Sequence, residues 1–374
     1  MHHAKPDAPP ATPRVALAHE WLVRYAGSER CVEELARAFP GAPVLTTVVV
    51  PEAMPPLLKG ARPSLLQRLP GATGHHEWLL PLMPLAWRAR PPLDGVEAVV
   101  SSSHACAKAV RAAPGTPHLC YCHTPMRYAW DFRAEAHRFP RPARGPARGL
   151  MAAFRRWDRA SAGRVTRFVA NSSAVAGRIR RFYRRAAQVV PPPVRTDFFT
   201  PGGERDDGFL YVGRLVAYKR PDLVVEAFRD LPYRLTVVGD GHMAPRLRAR
   251  ATPNVTFLEG VDDEGLRALY RRARALVYPA DEDFGIVMAE AQACGTPVVA
   301  LDRGGARDIV TPGVGGWLMG DQDVATLRRA VRRAAAGDLD EGAIRAGAER
   351  FSAAAYRTRM RELVAEMIHD PTPA

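Results

Sequence analysis

The stretch of sequence richest in chemically useful side chains is YPADEDFGIVMAEAQACGTPVVALDRGG, residues 278–305. Seven residues separate Glu282 from Glu290, and an apolar run comes directly before them. The pattern predicts a strand, then a loop that carries Glu282, then a helix that begins near Gly285 and contains Glu290. Most glutamates are ordinary surface charges. Glu290, however, stands among alanines and a methionine, where an unpaired charge would be costly, and this favours a functional role.

A ligand that contains both a sugar and a diphosphate would fit this arrangement. Helix N-termini at the carboxyl ends of parallel strands direct free N–H groups at anions. The backbone at Gly285, Ile286 and Val287 is therefore a candidate diphosphate site, because glycine lets a ligand approach closely. Glu290 lies about 7.5 Å further along the helix axis, where it would accept hydrogen bonds from two sugar hydroxyls. Glu282 would face the other end of the same ligand.

A second group of candidates lies in YVGRLVAYKRPD, residues 211–222. Arg214 follows Gly213 at the end of a predicted strand, and Lys219 comes five residues later, before a predicted helix. Two fixed cations at a strand end can neutralise a departing diphosphate without a metal. Lys219 is equally typical of a solvated charge in a basic protein, so Arg214 is the stronger candidate of the two.

Two motifs in the first half also end strand-like runs. CYCHTPMRYAWD (120–131) places His123 at a strand end, and SSSHACAK (101–108) places Ser103 and His104 at another. A lone histidine is more often structural than catalytic, and Ser103 and His104 either line a cleft or cap a helix. His123 is therefore a candidate only in combination with the other groups.

The elements that must position these residues alternate between strands and helices. RVALAHEW (14–21) is a short apolar run, and after a turn at Gly27 and Ser28 the residues 29–39 have helical spacing. Further strand-like runs in the first half occupy residues 43–50, 97–103, 118–124 and 167–173. This alternation predicts parallel sheets that are covered by helices on both faces.

A proline-rich and glycine-rich segment divides the chain. VVPPPVRTDFFTPGG (189–203) can continue neither a helix nor a central strand, and the alternation resumes after it. A chain of 374 residues also exceeds what one hydrophobic core usually serves. We therefore predict a first Rossmann-like domain at 14–190, a linker at 191–203 and a second Rossmann-like domain at 204–351, with a cleft between the domains. A last helix, 352–368, has no strand after it.

The composition excludes several classes of protein. Hydrophobic residues make up 47% of the chain, yet no uncharged apolar run is long enough to span a bilayer. The five cysteines are scattered, which argues against a disulfide framework or a zinc site. Residues 1–13 lack the apolar core of a secretory signal, so we expect a disordered leader and a cytoplasmic protein.

The net charge of +14 is the strongest bias in the composition. A positive charge of this size attracts phosphates, nucleic acid or an anionic membrane, and it is equally typical of a solvated basic surface. The arginines are dispersed and form no recognised nucleic-acid module, so no nucleic acid is expected as a partner. Residues 65–93 alternate apolar and basic side chains, which predicts either a surface that lies on an anionic membrane or a helical insertion into the first domain.

Taken together, these motifs resemble family 4 of the retaining glycosyltransferases, whose two facing Rossmann-like domains form the GT-B fold. The resemblance covers nearly the whole chain. Its most specific part is EDFGIVMAE followed by CGTPVVALDRGG, with GRL and KRPD upstream. SSSHACAK and CYCHTPMRYAWD are similar to the mannosyltransferase-like branch that builds bacterial O-antigens and exopolysaccharides.

The resemblance implies a role for each candidate in the second half. Glu290 would bind the ribose of a nucleotide-sugar, and Glu282 with the backbone around Phe284 and Gly285 would hold the sugar and the diphosphate. Arg214 and Lys219 would carry the charge of the leaving nucleoside diphosphate. Gly213 belongs to the same strand end, and backbone near Val261 would read the base.

The resemblance also implies roles in the first half. His123 would lie beside the anomeric carbon, and Ser103 and His104 would belong to the acceptor side. The turn at Gly27 and Ser28 would approach the phosphates or the acceptor, although the family often has a second glycine in place of Ser28. The last helix, 352–368, would pack back on the first domain.

The implied reaction is the transfer of a hexose, with retention, from a nucleoside diphosphate sugar to a hydroxyl of a saccharide or lipid-linked acceptor. GDP-mannose is the first donor to expect, and neither a cofactor nor a metal is expected. The alternatives are a nucleotide-sugar epimerase of similar architecture and, less in keeping with the motifs, a basic nucleic-acid-binding protein. The expected location is cytoplasmic, with a peripheral position on the inner face of the cell membrane.

Overall fold

The structure, a computed structural model, describes residues 13–131 and 144–372, which form two compact units. Unit 1 contains the described residues up to Val169, Ile179–Gln188 and the residues from Arg357 onward. Unit 2 contains Ala170–Arg178 and Val189–Tyr356. The leader predicted at 1–13 lies outside the described residues, except for Pro13.

Unit 1 is built on a six-stranded parallel sheet in the order β2-β1-β3-β4-β5-β6. Its strands are Val15–His19 (β1), Val44–Leu45 (β2), Ala98–Ser103 (β3), His118–Cys122 (β4), Arg167–Ala170 (β5) and Ala187–Val189 (β6). The helices along this part of the chain are Gly27–Ala38 (α1), Pro56–Lys59 (α2), Met83–Ala89 (α3), Arg127–Trp130 (α4), Arg144–Ala162 (α5) and Ser173–Tyr183 (α6). The central strands are buried along their whole length, as expected where helices cover both faces.

Unit 2 repeats this architecture with the strand order β12-β11-β10-β7-β8-β9. Its strands are Phe209–Val212 (β7), Leu235–Val238 (β8), Val255–Leu258 (β9), Ala275–Tyr278 (β10), Val298–Leu301 (β11) and Gly316–Met319 (β12). Helices here are Pro221–Phe228 (α7), Ala244–Arg248 (α8), Asp263–Arg272 (α9), Ile286–Ala293 (α10), Ala306–Ile309 (α11), Val324–Ala336 (α12) and Glu341–Ala348 (α13). A last helix, Ala353–His369 (α14), follows. The prediction of doubly wound parallel sheets is confirmed.

Two segments differ from the expected boundaries. The strand-like run at 43–50 forms a ladder over only two residues, because the amide of Thr47 and the hydroxyl of Thr46 both donate to the carbonyl oxygen of Glu20. The predicted linker at 191–203 belongs to unit 2, where Val194 and Phe199 are buried in the hydrophobic core.

The last helix provides contacts within unit 1. Arg357 pairs with Glu34 of α1, and Arg361 donates to the carbonyl oxygen of Ala38 at 3.0 Å. Both arginines lie beyond the residue at which the chain passes from unit 2 to unit 1. These contacts join α14 to the C-terminal half of α1, and the carbonyl at the end of that helix gains a cationic partner.

A buried ion pair lies in the core of unit 1. Lys108 pairs with Asp158, and both side chains are almost completely buried. Trp130 and Tyr183 donate to the same carboxylate at 2.7 and 2.8 Å. Burial alone would lower the pKa of Lys108, but the charge of Asp158 raises it above its ordinary value. The amine also donates to the carbonyl oxygen of Ala105 at 2.6 Å, so the pair supports the turn after β3.

Removal of one partner should therefore destabilise unit 1. We expect Asp158→Ala to cost about 3–5 kcal/mol of unfolding free energy, because Lys108 is left as an uncompensated buried charge. Urea denaturation followed by circular dichroism would measure the loss. The double variant Lys108→Met/Asp158→Leu should recover most of it. Equal stability of Asp158→Ala and the wild type would contradict this account.

Candidate functional site

The GRL and EDFG motifs of unit 2 lie at the point where the strand order reverses. β7 lies between β10 and β8, and the chain leaves β7 and β10 toward opposite edges of the sheet. A crevice forms at the carboxyl ends of strands at such a reversal, which is where ligands bind in open α/β sheets. Gly213 and Arg214 follow β7, and Glu282 follows β10. The topology therefore brings the GRL and EDFG motifs to one edge.

Lys219 and Glu282 form an ion pair at this edge. Lys219 Nζ lies 2.7 Å from Glu282 Oε1, and the two side chains are only 13% and 17% exposed. Lys219 also donates to the Tyr278 hydroxyl at 3.0 Å. Burial raises the pKa of Tyr278 well above its ordinary value, and the charge of Glu282 raises it further. Lys219 thus has defined partners, unlike a solvated surface cation.

The two cations differ in their surroundings. Arg214 is exposed and donates to the hydroxyl of Tyr218 at 2.9 Å, whereas Lys219 is held beside the rings of Tyr218 and Tyr278. An exposed guanidinium moves at little cost, while the Lys219 amine is fixed by its carboxylate and phenol partners. The tyrosines Tyr218 and Tyr278 were not anticipated from the sequence, although both stand within or beside the quoted motifs.

Glu290 lies on the buried side of α10. It is 4% exposed, and the Tyr270 hydroxyl of α9 donates to its Oε2 at 3.1 Å. The helix begins after Gly285, whose φ of +88° is in the left-handed region that favours glycine. Phe284 is buried against Phe351 with ring centroids 5.6 Å apart, so its side chain belongs to the core, and its predicted backbone contact with a ligand stays a prediction.

The remaining donor-side candidates are partly buried. Ile286 and Val287 form the first turn of α10, and Val261 lies in the loop between β9 and α9. Asp262 caps α9 by accepting a hydrogen bond from the Gly265 amide at 2.8 Å, which fixes that loop. The roles of these three residues in binding a diphosphate or a base stay predictions.

Gly304 and Gly305 contact residues 279–285, the segment between β10 and α10 that carries Glu282 and that we call the glutamate loop. The amide of Gly305 donates to the Glu282 carbonyl at 2.9 Å. A Cβ atom on Gly305 would lie 2.3 Å from Phe284 Cα, and one on Gly304 would lie 2.1 Å from the Glu282 carbonyl oxygen. The two segments of the chain therefore approach each other more closely than a side chain at either glycine would allow. The pair of glycines directly after β11 was the sequence signal for this contact.

Unit 1 has a similar arrangement where its own strand order reverses, between β1 and β3. His19 ends β1, Ser102 and Ser103 end β3, and His123 follows β4. His123 Nε2 lies 2.8 Å from the Ser102 hydroxyl oxygen, and the His104 ring centroid is 6.3 Å from that of His123. Burial lowers the pKa of His123 well below its ordinary value, and the neighbouring His104 and His19 rings lower it further.

Glu20, which sequence reasoning missed, organises the turn that carries Ser103 and His104. Its buried carboxylate accepts hydrogen bonds from the amides of residues 104–107 at 2.7 to 3.1 Å and from the Ser103 hydroxyl at 2.8 Å. Burial opposes ionisation, but His104, these amides and Lys108 together lower the pKa of Glu20. The Ser103 hydroxyl is committed to Glu20, while His104 packs edge-on against Trp21 with ring centroids 4.8 Å apart.

Gly27 and Ser28 form the first turn of α1. A Cβ atom on Gly27 would meet nothing within 4 Å, so the packing of the chain itself does not require glycine there. The Ser28 hydroxyl donates to Glu29 Oε2 at 2.9 Å, and that carboxylate also accepts from the Ala26 amide at 3.1 Å. The predicted role of this turn in phosphate or acceptor binding stays a prediction.

Residues 65–93 form a short 3₁₀ helix, a second 3₁₀ helix and α3, and leave large apolar side chains in solvent. Trp78 is 79% exposed, Leu65 68% and Leu85 63%. An apolar groove of about 360 Å³ is lined by Leu65, Leu66, Leu69, Leu82, Leu85, Ala86 and Ala89. Arg68 and Arg90 line a second groove of about 340 Å³ that shares Leu65 with the first. We refer to these two grooves as the 65–93 surface.

Neither a membrane-spanning helix nor a metal cluster is present in the described part of the chain. Among residues 13–131 and 144–372, no helix is long and apolar enough to cross a bilayer. In the same residues, no group of three or more His, Cys, Asp or Glu side chains is arranged to hold a metal ion.

Two sequence families match the chain, each over one part. The family described as Glycosyltransferase Family 4 matches residues 25–198, and the family described as Glycosyl transferases group 1 matches residues 196–356. The second match contains the Lys219, Glu282 and Glu290 positions, and the first contains His104 and His123.

Curated relatives share about a third of aligned residues over part of their length. The D-inositol 3-phosphate glycosyltransferase of Geodermatophilus obscurus is 38% identical over 200 residues, which cover 44% of this chain and 44% of the relative. The protein of the same name from Mycobacterium sp. (strain JLS) is 39% identical over 159 residues, which cover 36% of each chain. The chain thus spans less than half the length of either relative.

Solved structures resemble the chain over nearly its whole length. Anabaena Alr3699/HepE, solved in complex with UDP and glucose, covers 94% of this chain and 99% of its own, with a TM-score of 0.67 and 17% identity. A sucrose-phosphate synthase from Thermosynechococcus elongatus covers 95% of this chain and 100% of its own, with a TM-score of 0.71 and 19% identity. At these identities the likeness shows the fold alone.

Adding one methyl group at position 305 tests whether the close approach of Gly305 to the glutamate loop matters. We expect Gly305→Ala to destabilise unit 2 by about 1–3 kcal/mol and to weaken ligand binding at the loop, because the Cβ would overlap the Phe284 backbone. Thermal unfolding would measure the first effect. Gly347→Ala is the matched control, since a Cβ there meets nothing within 4 Å on α13. Equal behaviour of the two variants would contradict the role of Gly305.

Proposed function

We propose that this chain, which matches Glycosyltransferase Family 4 over residues 25–198 and Glycosyl transferases group 1 over residues 196–356, transfers a hexose from a nucleoside diphosphate sugar to a hydroxyl, with retention at the anomeric carbon. The observation that carries the proposal is the Lys219–Glu282 pair beside the start of α10, at the strand reversal of unit 2. A cation, a carboxylate and a helix N-terminus at one sheet edge suit a ligand that joins a sugar to a diphosphate.

In this proposal the fixed charges of unit 2 favour departure of the diphosphate. Lys219, Arg214 and the free amides at the start of α10 stabilise the negative charge that develops on the leaving group. Glu282 is released from Lys219 as the diphosphate takes its place, and it then accepts hydrogen bonds from sugar hydroxyls. Glu290 accepts from the ribose, with Tyr270 holding its carboxylate.

The proposed chemistry needs no carboxylate nucleophile. The acceptor hydroxyl attacks from the face that the diphosphate leaves, and the departing phosphate oxygen accepts its proton, so the sugar passes through an oxocarbenium-like state. His123 lies beside the anomeric carbon in this proposal, with His104, Ser103 and the Gly27–Ser28 turn on the acceptor side. Since Lys219 and Arg214 supply the positive charge, the reaction is proposed to be independent of metal.

The donor is proposed to be GDP-mannose, on the resemblance of SSSHACAK and CYCHTPMRYAWD to the mannosyltransferase-like branch. The Anabaena neighbour was solved with UDP-glucose, so UDP-sugars are the competing donor class. Base selection is assigned to the backbone near Val261.

A panel of ligands tests the donor site directly. We expect GDP, UDP, GDP-mannose and UDP-glucose to differ in how far they raise the melting temperature, since a ligand at 100 times its Kd adds about 2.7 kcal/mol. Glu290→Gln should abolish the shift for the preferred nucleotide, because the ribose loses its charged acceptor.

The control for that panel is Glu226→Gln, an exposed glutamate of α7 that pairs only with arginines among its described contacts. It should keep the full shift. No shift with any ligand in the folded wild type would contradict the donor site. Conversion of the sugar nucleotide without an acceptor would instead favour an epimerase.

The acceptor is proposed to be a lipid-linked saccharide at the inner face of the cell membrane. The support is the 65–93 surface, in which exposed Leu65 lines one groove together with Arg68 and lines the other together with exposed Leu85, in a protein with a net charge of +14. Apolar side chains beside basic ones suit an anionic bilayer, where the apolar groups enter the interface and the cations meet lipid phosphates.

Vesicle sedimentation tests the membrane proposal. We expect the wild type to sediment with phosphatidylglycerol vesicles, more weakly as salt is added, and Leu65→Ser/Leu85→Ser to bind at least about tenfold less, because two exposed leucines that would enter the bilayer interface are lost. Leu150→Ser is the control, since Leu150 is a half-exposed leucine outside the 65–93 surface. Equal sedimentation of all three proteins, or none by the wild type, would contradict the proposal.

A further inference from the structure

A row of four polar side chains crosses the carboxyl edge of the unit 1 sheet. His19 Nε2 lies 3.5 Å from Glu29 Oε1, and His19 Nδ1 lies 3.2 Å from the Ser102 hydroxyl oxygen. That hydroxyl in turn lies 2.8 Å from His123 Nε2. The row therefore runs from the first turn of α1, across β1 and β3, to the residue after β4.

The register of the sheet fixes this row. His19 pairs with Ser102 in the β1–β3 ladder, and Ser102 pairs with Tyr121 in the β3–β4 ladder. The amide of His123 donates to the Ser103 carbonyl at 2.9 Å, which extends the same ladder. Both His19 and Ser102 are buried, so their partners are set by packing and not by water.

The contacts of His19 decide where its ring hydrogen lies. Its Nδ1 is 3.1 Å from the carbonyl oxygen of Ser102, a group that can only accept. Nδ1 therefore carries a hydrogen and donates it, whereas Nε2, 3.5 Å from Glu29 Oε1, makes no hydrogen bond within the described residues that would draw the hydrogen there. A lone pair on Nδ1 would instead face the carbonyl oxygen at this distance and be repelled.

This assignment determines what the Ser102 hydroxyl does. It has one hydrogen and stands between two ring nitrogens. With His19 Nδ1 as a donor, the hydroxyl accepts on that side, and among its described contacts only His123 Nε2 is left to take its hydrogen, which would otherwise be buried without an acceptor. A neutral His123 that accepts at Nε2 must carry its own hydrogen on Nδ1.

We propose that Ser102 and His19 are positioning residues that hold His123 in the tautomer with its hydrogen on Nδ1. The inference rests on the proposed function, in which His123 contacts the donor sugar. A ring in this tautomer donates from Nδ1, whereas the other tautomer would offer a lone pair there. The row thus makes Nδ1 the donor nitrogen of His123 and Nε2 its acceptor nitrogen.

The surrounding charges agree with a neutral His123 beside an ionised Glu29. Burial lowers the pKa of His123, with the His104 and His19 rings adding to the effect. Burial alone would raise the pKa of Glu29, but the facing His19 ring and the Ser28 hydroxyl hold it below its ordinary value. Glu20 and Lys108 are the other charged groups near His104, and each has its own buried partners.

Nuclear magnetic resonance of the full chain with nitrogen-15 in its histidines reads the tautomer without any substrate. We expect the wild type, at neutral pH, to show His123 with hydrogen on Nδ1 and a bare Nε2; His123→Gln identifies the resonance. Ser102→Ala should shift His123 toward the Nε2–H form that free imidazole favours in water. A wild type with Nε2–H, or a tautomer unchanged by Ser102→Ala, would overturn the proposal.

A matched serine serves as the structural control. Ser101, one residue earlier on β3, makes a similar contact, with its hydroxyl oxygen 2.7 Å from His118 Nε2. Ser101→Ala also removes a buried serine–histidine hydrogen bond, so it reproduces any general loss of stability. It should leave the His123 resonances unchanged. A shift of His123 in both variants would mean that the tautomer responds to packing and not to Ser102, and would overturn the proposal.

Kinetics then connect the tautomer to turnover. With GDP-mannose or UDP-glucose, whichever gives the larger thermal shift, we expect Ser102→Ala to lower kcat/KM about 10- to 100-fold, the range for partners that orient a functional histidine. His19→Leu should match it, and His19→Asn, which keeps a donor where Nδ1 stood, should recover part of the loss. Full activity in Ser102→Ala would overturn the role. If no sugar nucleotide binds, the proposed function fails while the tautomer measurement still stands.

Discussion

The constraint on which the rest of the structure depends is that parallel strands joined by helical crossovers place all their carboxyl ends at one edge of a sheet. In each unit the strand order reverses once, between β1 and β3 in one sheet and between β7 and β10 in the other. Residues that are distant in sequence meet there because they end neighbouring strands. Both sets of candidate residues, around Lys219 and around His123, follow from this one constraint.

The charged residues that support the fold are more deeply buried than the charged candidates for ligand binding. Glu20 and Lys108 are fully enclosed, and their partners are the protein's own amides, carbonyls and Asp158. A ligand cannot replace such partners without unfolding the turn after β3. The Lys219–Glu282 pair is partly exposed and its two charges neutralise each other, and in the proposed function an anionic ligand takes over Lys219 while the carboxylate turns to hydroxyl groups.

The path of the glutamate loop depends on close backbone contacts that only glycine allows. Gly304 and Gly305 let the segment after β11 contact the backbone at Glu282 and Phe284, and Gly285 starts α10 with a positive φ. Three glycines thus set the path of the chain between and around Glu282 and Glu290. In unit 1 the Glu20 carboxylate has the corresponding role, since it fixes the turn that presents His104.

The sequence by itself determined the alternation of strands and helices, the two parallel sheets and the strand ends at which the motifs lie, because these depend on local patterns of apolar residues and glycines. Element ends were less predictable: the run at 43–50 forms a two-residue ladder since Thr46 and Thr47 bond to Glu20. Only the tertiary structure decided which side chains meet. Lys219 and Tyr278 are 59 residues apart, and His19 and Ser102 are 83 apart. Such pairs depend on the register between strands, and one sequence contains no local signal for register.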